Sequence, residues 1–251
     1  MIYKDFQGMK LSALGFGGMR LPVIDGQDSK IDEAAATEMV DLAMKSGINY
    51  YDTAWGYHEG NSELVLGKAL SKYERSSFCL ADKFPGYDLE NMDKVESIFE
   101  KQLEKCCVDY FDFYLFHNVC ELNIEQYLDE KYGIFKYLTE QKAKGRIKHL
   151  GFSVHGSYDV MMRFLNAYGK HMEFCQIQLN YLDWTMQNAK EKYELLTERN
   201  IPVWVMEPVR GGKLTGGEVE RKMGLREICP KDSAAAVAFK FIHRLDNVTT
   251  V

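Results

Sequence analysis

Four side chains with complementary acid–base character stand at the ends of short apolar runs. Asp52 follows Asn49-Tyr50-Tyr51, and Tyr57 closes the short loop after it; Lys83 follows Phe78-Cys79-Leu80-Ala81-Asp82, and His117 follows Phe113-Tyr114-Leu115-Phe116. A lysine at the end of a buried strand needs an anionic partner, because an unpaired buried ammonium is costly. Asp52, on a neighbouring strand, can supply it. An ammonium beside a phenol favours phenolate, so the expectation is that Tyr57 titrates roughly one to three units below its ordinary value of about 10. Such a phenol would protonate a developing alkoxide near neutral pH, while His117 hydrogen-bonds the same carbonyl oxygen and orients it. Singly, each residue has an ordinary explanation: a turn-forming Asp, a packed Tyr, a solvated Lys, a structurally satisfied His. Together, in complementary roles on successive strand ends, they point to proton transfer onto a carbonyl.

The runs that carry these residues alternate with amphipathic stretches along the chain. Helices are expected over 32–46, 61–73, 93–107, 134–144, 157–168, 189–199 and 233–244, from apolar residues at helical spacing and stops such as Gly47 and Gly145. Strands are expected over 13–19, 49–52, 78–83, 110–117, 149–155, 174–181 and 202–206, with an eighth beginning at Val248. A hairpin of residues 2–6 and 11–14 around Gln7-Gly8 precedes them. Later run ends also carry polar groups: Ser153 and His155, then Gln176, Gln178 and Asn180, then Glu207 with an Arg-Gly-Gly turn. Buried strands that repeatedly end in chemistry are the signature of a (β/α)8 TIM barrel, whose loops converge at one rim. The length of 251 residues suits a single barrel domain over residues 1–251. An open doubly wound sheet fits less well, since Gly15-Phe-Gly-Gly-Met-Arg lacks the G-x-G-x-x-G spacing of a dinucleotide fingerprint.

The composition excludes several classes. A net charge of −6, with Lys and Arg spread over helix faces, leaves no basic stripe for nucleic acid. No run is long enough to span a bilayer, and MIYKDFQGMK is not a secretory leader. The six cysteines show no C-x-x-C spacing, so no metal site or disulfide framework is expected. A reducing cytoplasm is the expected location.

The ordered motifs L-G-F-G-G-M-R, N-Y-Y-D-T-A-W-G-Y-H, A-D-K, F-H, G-F-S, C-Q-I-Q and M-E-P-V-R-G-G-K-L resemble the aldo-keto reductase superfamily over nearly the whole chain. The resemblance implies a (β/α)8 barrel binding an extended nicotinamide dinucleotide, usually NADPH with NADH as the alternative, without a Rossmann motif. It implies a catalytic tetrad of Asp52, Tyr57, Lys83 and His117, acting on a small carbonyl substrate. By matching motif it places Gly18, Met19 and Asp52 beside the cofactor, and Ser153 on its carboxamide, with Val154 where an asparagine is usual. Gln176 falls below the nicotinamide, with Gln178 in reserve, and Met206 stands where many members stack an aromatic ring. Pro208, Val209, Arg210 and Gly212 match the pyrophosphate loop. Trp55, Tyr87 and Asn118, with Met19, are candidates to line the substrate pocket. The M-E-P-V-R-G-G and G-F-S-V-H variants are similar to a bacterial branch whose longer members often carry a C-terminal iron–sulphur extension. No cysteine cluster follows Cys229. The resemblance therefore implies a chain cut short in or after strand eight, with barrel closure in question.

Two other functions compete with reductase chemistry. One is a regulatory module that binds nicotinamide cofactor with little turnover. The other is a metal-dependent hydrolase built on Asp52, His117, His155 and Glu207. Against the hydrolase stand the missing His-x-His pair in strand one and the cation Lys83.

Overall fold

The computed structural model describes residues 1–251. An antiparallel hairpin, β1 (Tyr3–Phe6) and β2 (Met9–Ser12), opens the chain. Eight parallel strands follow: β3 (Phe16–Gly17), β4 (Tyr50–Asp52), β5 (Cys79–Phe84), β6 (Phe111–Val119), β7 (Ile147–Val154), β8 (Cys175–Gln178), β9 (Val203–Met206) and β10 (Val248–Thr250). They lie side by side in chain order. The major helices are α1 (Glu33–Lys45), α2 (Ser62–Leu70) and α3 (Val95–Cys106), the short α4 (Ile124–Leu128), α5 (Ile134–Ala143), α6 (Tyr158–Tyr168), the short α7 (Asp183–Met186) and α8 (Ala189–Glu198). Short helices α9 (Gly217–Lys222) and α10 (Leu225–Ile228) precede α11 (Ala234–His243). None of them is long and apolar enough to cross a membrane.

The sheet closes. Gly15 N–H donates to Val251 O at 2.8 Å, and Val251 N–H donates to Ala13 O at 3.1 Å. These two bonds tie the far edge of β10 to the residues entering β3, so the expected doubt over closure is resolved in favour of a ring. The first strand is shorter than expected, because Gly18–Arg20 turns as a 3-10 segment instead of extending.

Side-chain alternation divides the apolar residues into two bodies. One set of 47 lies between strands and helices and includes Tyr51, Leu80, Tyr114, Phe116 and Phe152. The other fills the barrel: Tyr50, Ala81, Phe113, Leu115, Phe174 and Trp204, plugged from below by Phe6 and Leu11 of the hairpin. The Phe6 ring meets Trp204 edge-on at 4.9 Å. Capping follows the sequence signals, with the Asp32 carboxylate accepting from Ala35 N and the Ser157 hydroxyl from Val160 N at the starts of α1 and α6. Within α2, Gly67 is required by contact: a Cβ there would lie 2.6 Å from Lys105 O of α3. On α2 Leu64 is exposed, while Leu66 lies in the core.

Candidate active site

Period two carries the interior layer up to the site. Residues of one strand that share parity share a face. Two positions beyond Tyr50, Ala81, Leu115, Phe174 and Trp204 come Asp52, Lys83, His117, Gln176 and Met206. All five therefore project into the barrel's upper mouth. Asp82, of opposite parity, points outward to α2 and α3, where Gln102 Nε2 donates to its Oδ1 at 2.8 Å.

Lys83 is buried, and its Nζ donates to Asp52 Oδ1 at 2.6 Å and to Thr53 O at 2.7 Å. The same ammonium lies 5.1 Å from the centre of the Tyr57 ring, and the Tyr57 and His117 rings meet edge-on at 6.0 Å. Gln176 Nε2 reaches the other Asp52 oxygen at 3.4 Å. The four residues expected to act together are thus one cluster. Tyr57 is delivered by a tight 3-10 segment, Tyr57–Gly60, in which His58 and Glu59 adopt φ of 53° and 55°. His58 is buried behind it: its Nε2 accepts from Leu21 N–H at 2.9 Å, so Nδ1 carries the proton and donates to Asp28 O at 2.8 Å.

The electrostatics correct one expectation. Burial raises the Tyr57 pKa and the Asp52 carboxylate adds to the rise; Lys83 opposes both without overcoming them. The phenol is a neutral proton carrier, not an acidified one. Burial alone would lower the Lys83 pKa, but Asp52 and Tyr57 raise it above its ordinary value, keeping the ammonium charged. Burial, then Lys83 and His155, hold the His117 pKa well below its ordinary value. A neutral imidazole results, and its Nδ1 is buried without a partner.

Above the cluster a cleft of about 940 Å³ runs from Tyr57 and His117 to the loop after β9. That volume is of the size small-molecule sites occupy, roughly 300–1,000 Å³. Met19, Asp52, Tyr57, His117, Asn118, Gln176, Met206, Pro208, Val209, Arg210 and Gly212 all line it. Ser153 lies just behind, its hydroxyl accepting from Asn118 N–H at 2.8 Å. Gly18 is also behind the wall; its carbonyl accepts from Ser62 Oγ, and a Cβ would come 2.6 Å from that oxygen. Gly18 therefore serves close packing on α2 and does not face the cleft. Gln178, the reserve choice, lines the cleft but spends its amide on buried Asp183 at 2.8 Å, leaving Gln176 as the glutamine beside Asp52.

Trp55 is not brought to the cleft. Its ring lies under the Lys105 ammonium at 4.7 Å, against α3, because the turn into the 3-10 segment aims it away from the barrel axis. Tyr87 lies outside the cleft wall yet stands edge-on to the His117 ring at 5.1 Å. The four residues of the hydrolase alternative all line the cleft, but Asp52 is tied to Lys83 and Glu207 to Arg20, and no three metal-ligating side chains form a group.

Three features escaped sequence reasoning. Arg20 Nη2 meets Glu207 Oε1 at 2.5 Å across the cleft mouth. Asp183 collects Gln178, Asn180 and Arg210, fixing the loop after β8 to the loop after β9. His58 clamps residues 21 and 28. Arg20 and His58 end motifs whose earlier residues drew attention, and that adjacency was the available signal. Asp183 had none.

The cleft suits an extended, anionic, partly aromatic ligand such as a nicotinamide dinucleotide. It has apolar walls, and Arg20, Arg210 and Lys213 line it beside the β9 loop. The β9 loop backbone turns through left-handed conformations at Glu207, Arg210, Gly211 and Gly212, the geometry that lets successive amides face an anion.

Comparison with known proteins agrees with the fold. The sequence pattern of the aldo/keto reductase family matches residues 13–250, and the chain belongs to that family. It is similar to probable aldo-keto reductase 1 of Glycine max, 30% identical over 223 residues that cover 85% of this chain and 61% of that protein. It is also similar to the NADH-specific methylglyoxal reductase of Escherichia coli strain K12, at 27% identity over 82% of this chain and 66% of that one. The chain thus spans somewhat under two thirds of the length of these curated relatives. Among solved structures, the holo form of aldo-keto reductase AKR11C1 from Bacillus halodurans superposes with a TM-score of 0.80 at 27% identity. That superposition covers 100% of this chain and 85% of that one.

Proposed function

We propose that residues 1–251 act as one barrel unit, an NAD(P)H-dependent reductase of aldehydes and ketones. The observation that carries the proposal is the union of Lys83, Asp52, Tyr57 and His117 at a cleft of about 940 Å³ that continues to the β9 loop. A nicotinamide dinucleotide bound along that cleft would supply hydride to the carbonyl carbon. As the new C–H bond forms, Tyr57 gives its hydroxyl proton to the carbonyl oxygen, producing the alcohol. The phenolate left behind is stabilised by the Lys83 ammonium, which Asp52 holds in place, and it regains a proton from solvent. Neutral His117 donates from Nε2 to the same oxygen and fixes the carbonyl's orientation.

Gln176 and Met206 would hold the nicotinamide, with Ser153 on its carboxamide. Pro208, Val209, Arg210 and Gly212 would hold the pyrophosphate. NADPH is the proposed cofactor and NADH the alternative, since the Escherichia coli relative is named for NADH specificity. Met19 and Asn118 are the proposed substrate contacts, with Tyr87 supporting the His117 ring from behind the wall.

The test is cofactor oxidation with a panel of aldehydes and ketones, repeated with Tyr57→Phe. Loss of the general acid should lower turnover by about 100-fold or more. Normal turnover in the phenylalanine variant would refute the assignment.

A further inference from the structure

Tyr87 touches both arms of the candidate site, one through its ring and the other through its hydroxyl. The ring stands edge-on to the His117 imidazole at 5.1 Å. The hydroxyl packs on Gly56, where an added Cβ would overlap it. Tyr57 N–H donates to Ala54 O at 3.1 Å and closes a turn whose third residue is Gly56. Its φ of −93° and ψ of −3° are values most residues adopt at that place in a type I turn. Glycine is therefore required there by the room it leaves Tyr87, not by the backbone. The loop carrying Tyr87 is also fastened to the one that follows His117. Asn123 Nδ2 donates to Gly86 O at 3.0 Å and to Asn118 O at 2.8 Å. Tyr127 Oη donates to His117 O at 2.8 Å, and a Cβ on Gly86 would overlap the Tyr127 ring. Asn123 and Tyr127 are both buried. The imidazole has no such tether of its own. Its Nδ1 is buried without a partner, which leaves the Tyr57 and Tyr87 ring contacts to hold its plane.

We propose that Tyr87 is a positioning residue, a wedge between His117 and the turn before Tyr57 that fixes the separation and tilt of those two rings where they take up the carbonyl oxygen. The proposal rests on the carbonyl reduction argued above and adds a spacer to its geometry. Tyr87 lies outside the cleft wall, so it acts through its two neighbours and not on the reacting atoms. An imidazole is ordinarily oriented by a hydrogen bond to its second nitrogen. Here packing takes over that task. Because a misplacement of about 1 Å can cost about 100-fold in rate, such a wedge governs turnover more than substrate binding.

Removing the wedge and overfilling its seat test the idea from both sides. Tyr87→Leu should lower kcat by about tenfold or more while KM changes by less than about threefold. Tyr87→Phe, which keeps the ring, should recover most of that loss. Gly56→Ala drives a methyl group into the Tyr87 hydroxyl and should lower kcat in the same way. Adding Tyr87→Phe to it leaves the new carbon 3.3 Å from Cζ and should restore turnover. A loss in Tyr87→Leu that lies in KM alone overturns the proposal. So does a Gly56→Ala chain of normal turnover, or one whose defect Tyr87→Phe leaves in place. If circular dichroism shows Tyr87→Leu unfolded, the Gly56→Ala pair decides. Titration of the His117 imidazole, followed by NMR, gives a readout that does not depend on turnover. Burial, then Lys83 and His155, hold its pKa well below 6.5, and the Tyr57 and Tyr87 rings complete its surroundings. Tyr87→Leu should open the ring to water and raise the midpoint toward that ordinary value, whereas Tyr87→Phe should not. A midpoint that Tyr87→Leu leaves unmoved overturns the proposal. A wild-type chain that reduces no carbonyl compound with either cofactor overturns the reductase reading instead, and the titration still reads the wedge.

Discussion

His58 Nε2 accepts the Leu21 amide hydrogen at 2.9 Å, joining the residue next to the candidate acid Tyr57 to the loop that follows β3. The imidazole is buried and its other nitrogen donates to Asp28 O, so both ring nitrogens are spent on backbone. His58→Phe would fill the space but leave the Leu21 N–H and the Asp28 carbonyl without their partner. The expected cost is about 1–3 kcal/mol in urea unfolding. Turnover should drop with it, because the left-handed turn at His58 and Glu59 sets the height of Tyr57. A variant equal to wild type in both measurements would show the clamp to be idle.

The buried ion pair makes a separate case. Lys83→Met leaves the Asp52 carboxylate in a mostly apolar barrel without its cation, which costs about 3–5 kcal/mol for a broken buried pair. Asp52→Asn combined with Lys83→Met removes both charges and should recover most of that stability. Turnover should stay low in the double variant, since no ammonium is left to stabilise the phenolate. Recovery of activity along with stability would remove Lys83 from the chemistry.

The pH dependence of turnover follows from the two shifts at the reacting oxygen. Reduction needs Tyr57 protonated, and its pKa lies above the ordinary 10.0, so activity is lost only as pH rises past that value. It also needs His117 neutral, and the His117 pKa lies below the ordinary 6.5, so activity is lost only as pH falls beneath it. The expected kcat/KM profile is flat between those limits. An inflection between them that disappears in Tyr57→Phe would contradict the raised phenol.

Much of this was legible in the sequence, for a physical reason. The barrel's strands alternate inward and outward with period two, so Asp52, Lys83 and His117 could be assigned to one mouth by run ends alone, whereas Gln176 and Met206 were placed there by the family resemblance, since Gln178 shares the parity of Gln176. Apolar spacing likewise placed the major helices. What could not be read depends on loops. Trp55 and Tyr57 are two residues apart in one turn, yet one reaches the cleft and the other lies under Lys105, because a 3-10 segment obeys neither periodicity. The Tyr57 pKa was misjudged for a related reason: a sequence reveals the neighbouring ammonium but not how completely the oxygen is desolvated.

Acid stability should report on a different part of the barrel. Burial would raise the Glu173 pKa, but bonds from His149 Nδ1 at 2.9 Å, from Lys142 and from Leu150 N–H overcome it and lower the value from 4.5 to about 2. A depressed carboxylate contributes stability that is complete above its unfolded pKa and disappears as pH falls from 4.5 toward 2. Allowing for solvent screening of a half-buried group, the contribution is about 1–2 kcal/mol. Glu173→Gln should therefore be less stable than wild type at pH 7, and the gap should narrow as the pH is lowered through that window. A gap independent of pH would mean that packing, not charge, is what the glutamate supplies.

Across the cleft mouth, Arg20 and Glu207 bridge the β3 loop and the β9 loop, and Arg20 also lies 3.3 Å from where a Cβ on Gly211 would be. The arginine is largely exposed and the glutamate is not, so the pair draws a cation over the outer end of the cleft. With Arg210 held toward Asp183 at 3.4 Å and Arg20 by Glu207 at 2.5 Å, Lys213 is the lining cation without a carboxylate partner. Glu207→Gln frees the guanidinium while keeping the side chain's shape. A dinucleotide should then bind several-fold more tightly at low salt, because one charge–charge interaction at effective dielectric 20 is worth about 1–4 kcal/mol before screening. Arg20→Ala should bind less tightly, and both differences should shrink as ionic strength rises toward 1 M, where the Debye length falls to about 3 Å. Fluorescence titration with NADPH and NADH at two salt concentrations reads all of this. Equal dissociation constants for the wild type and both variants would show that the ion pair only joins two loops and does not face the ligand.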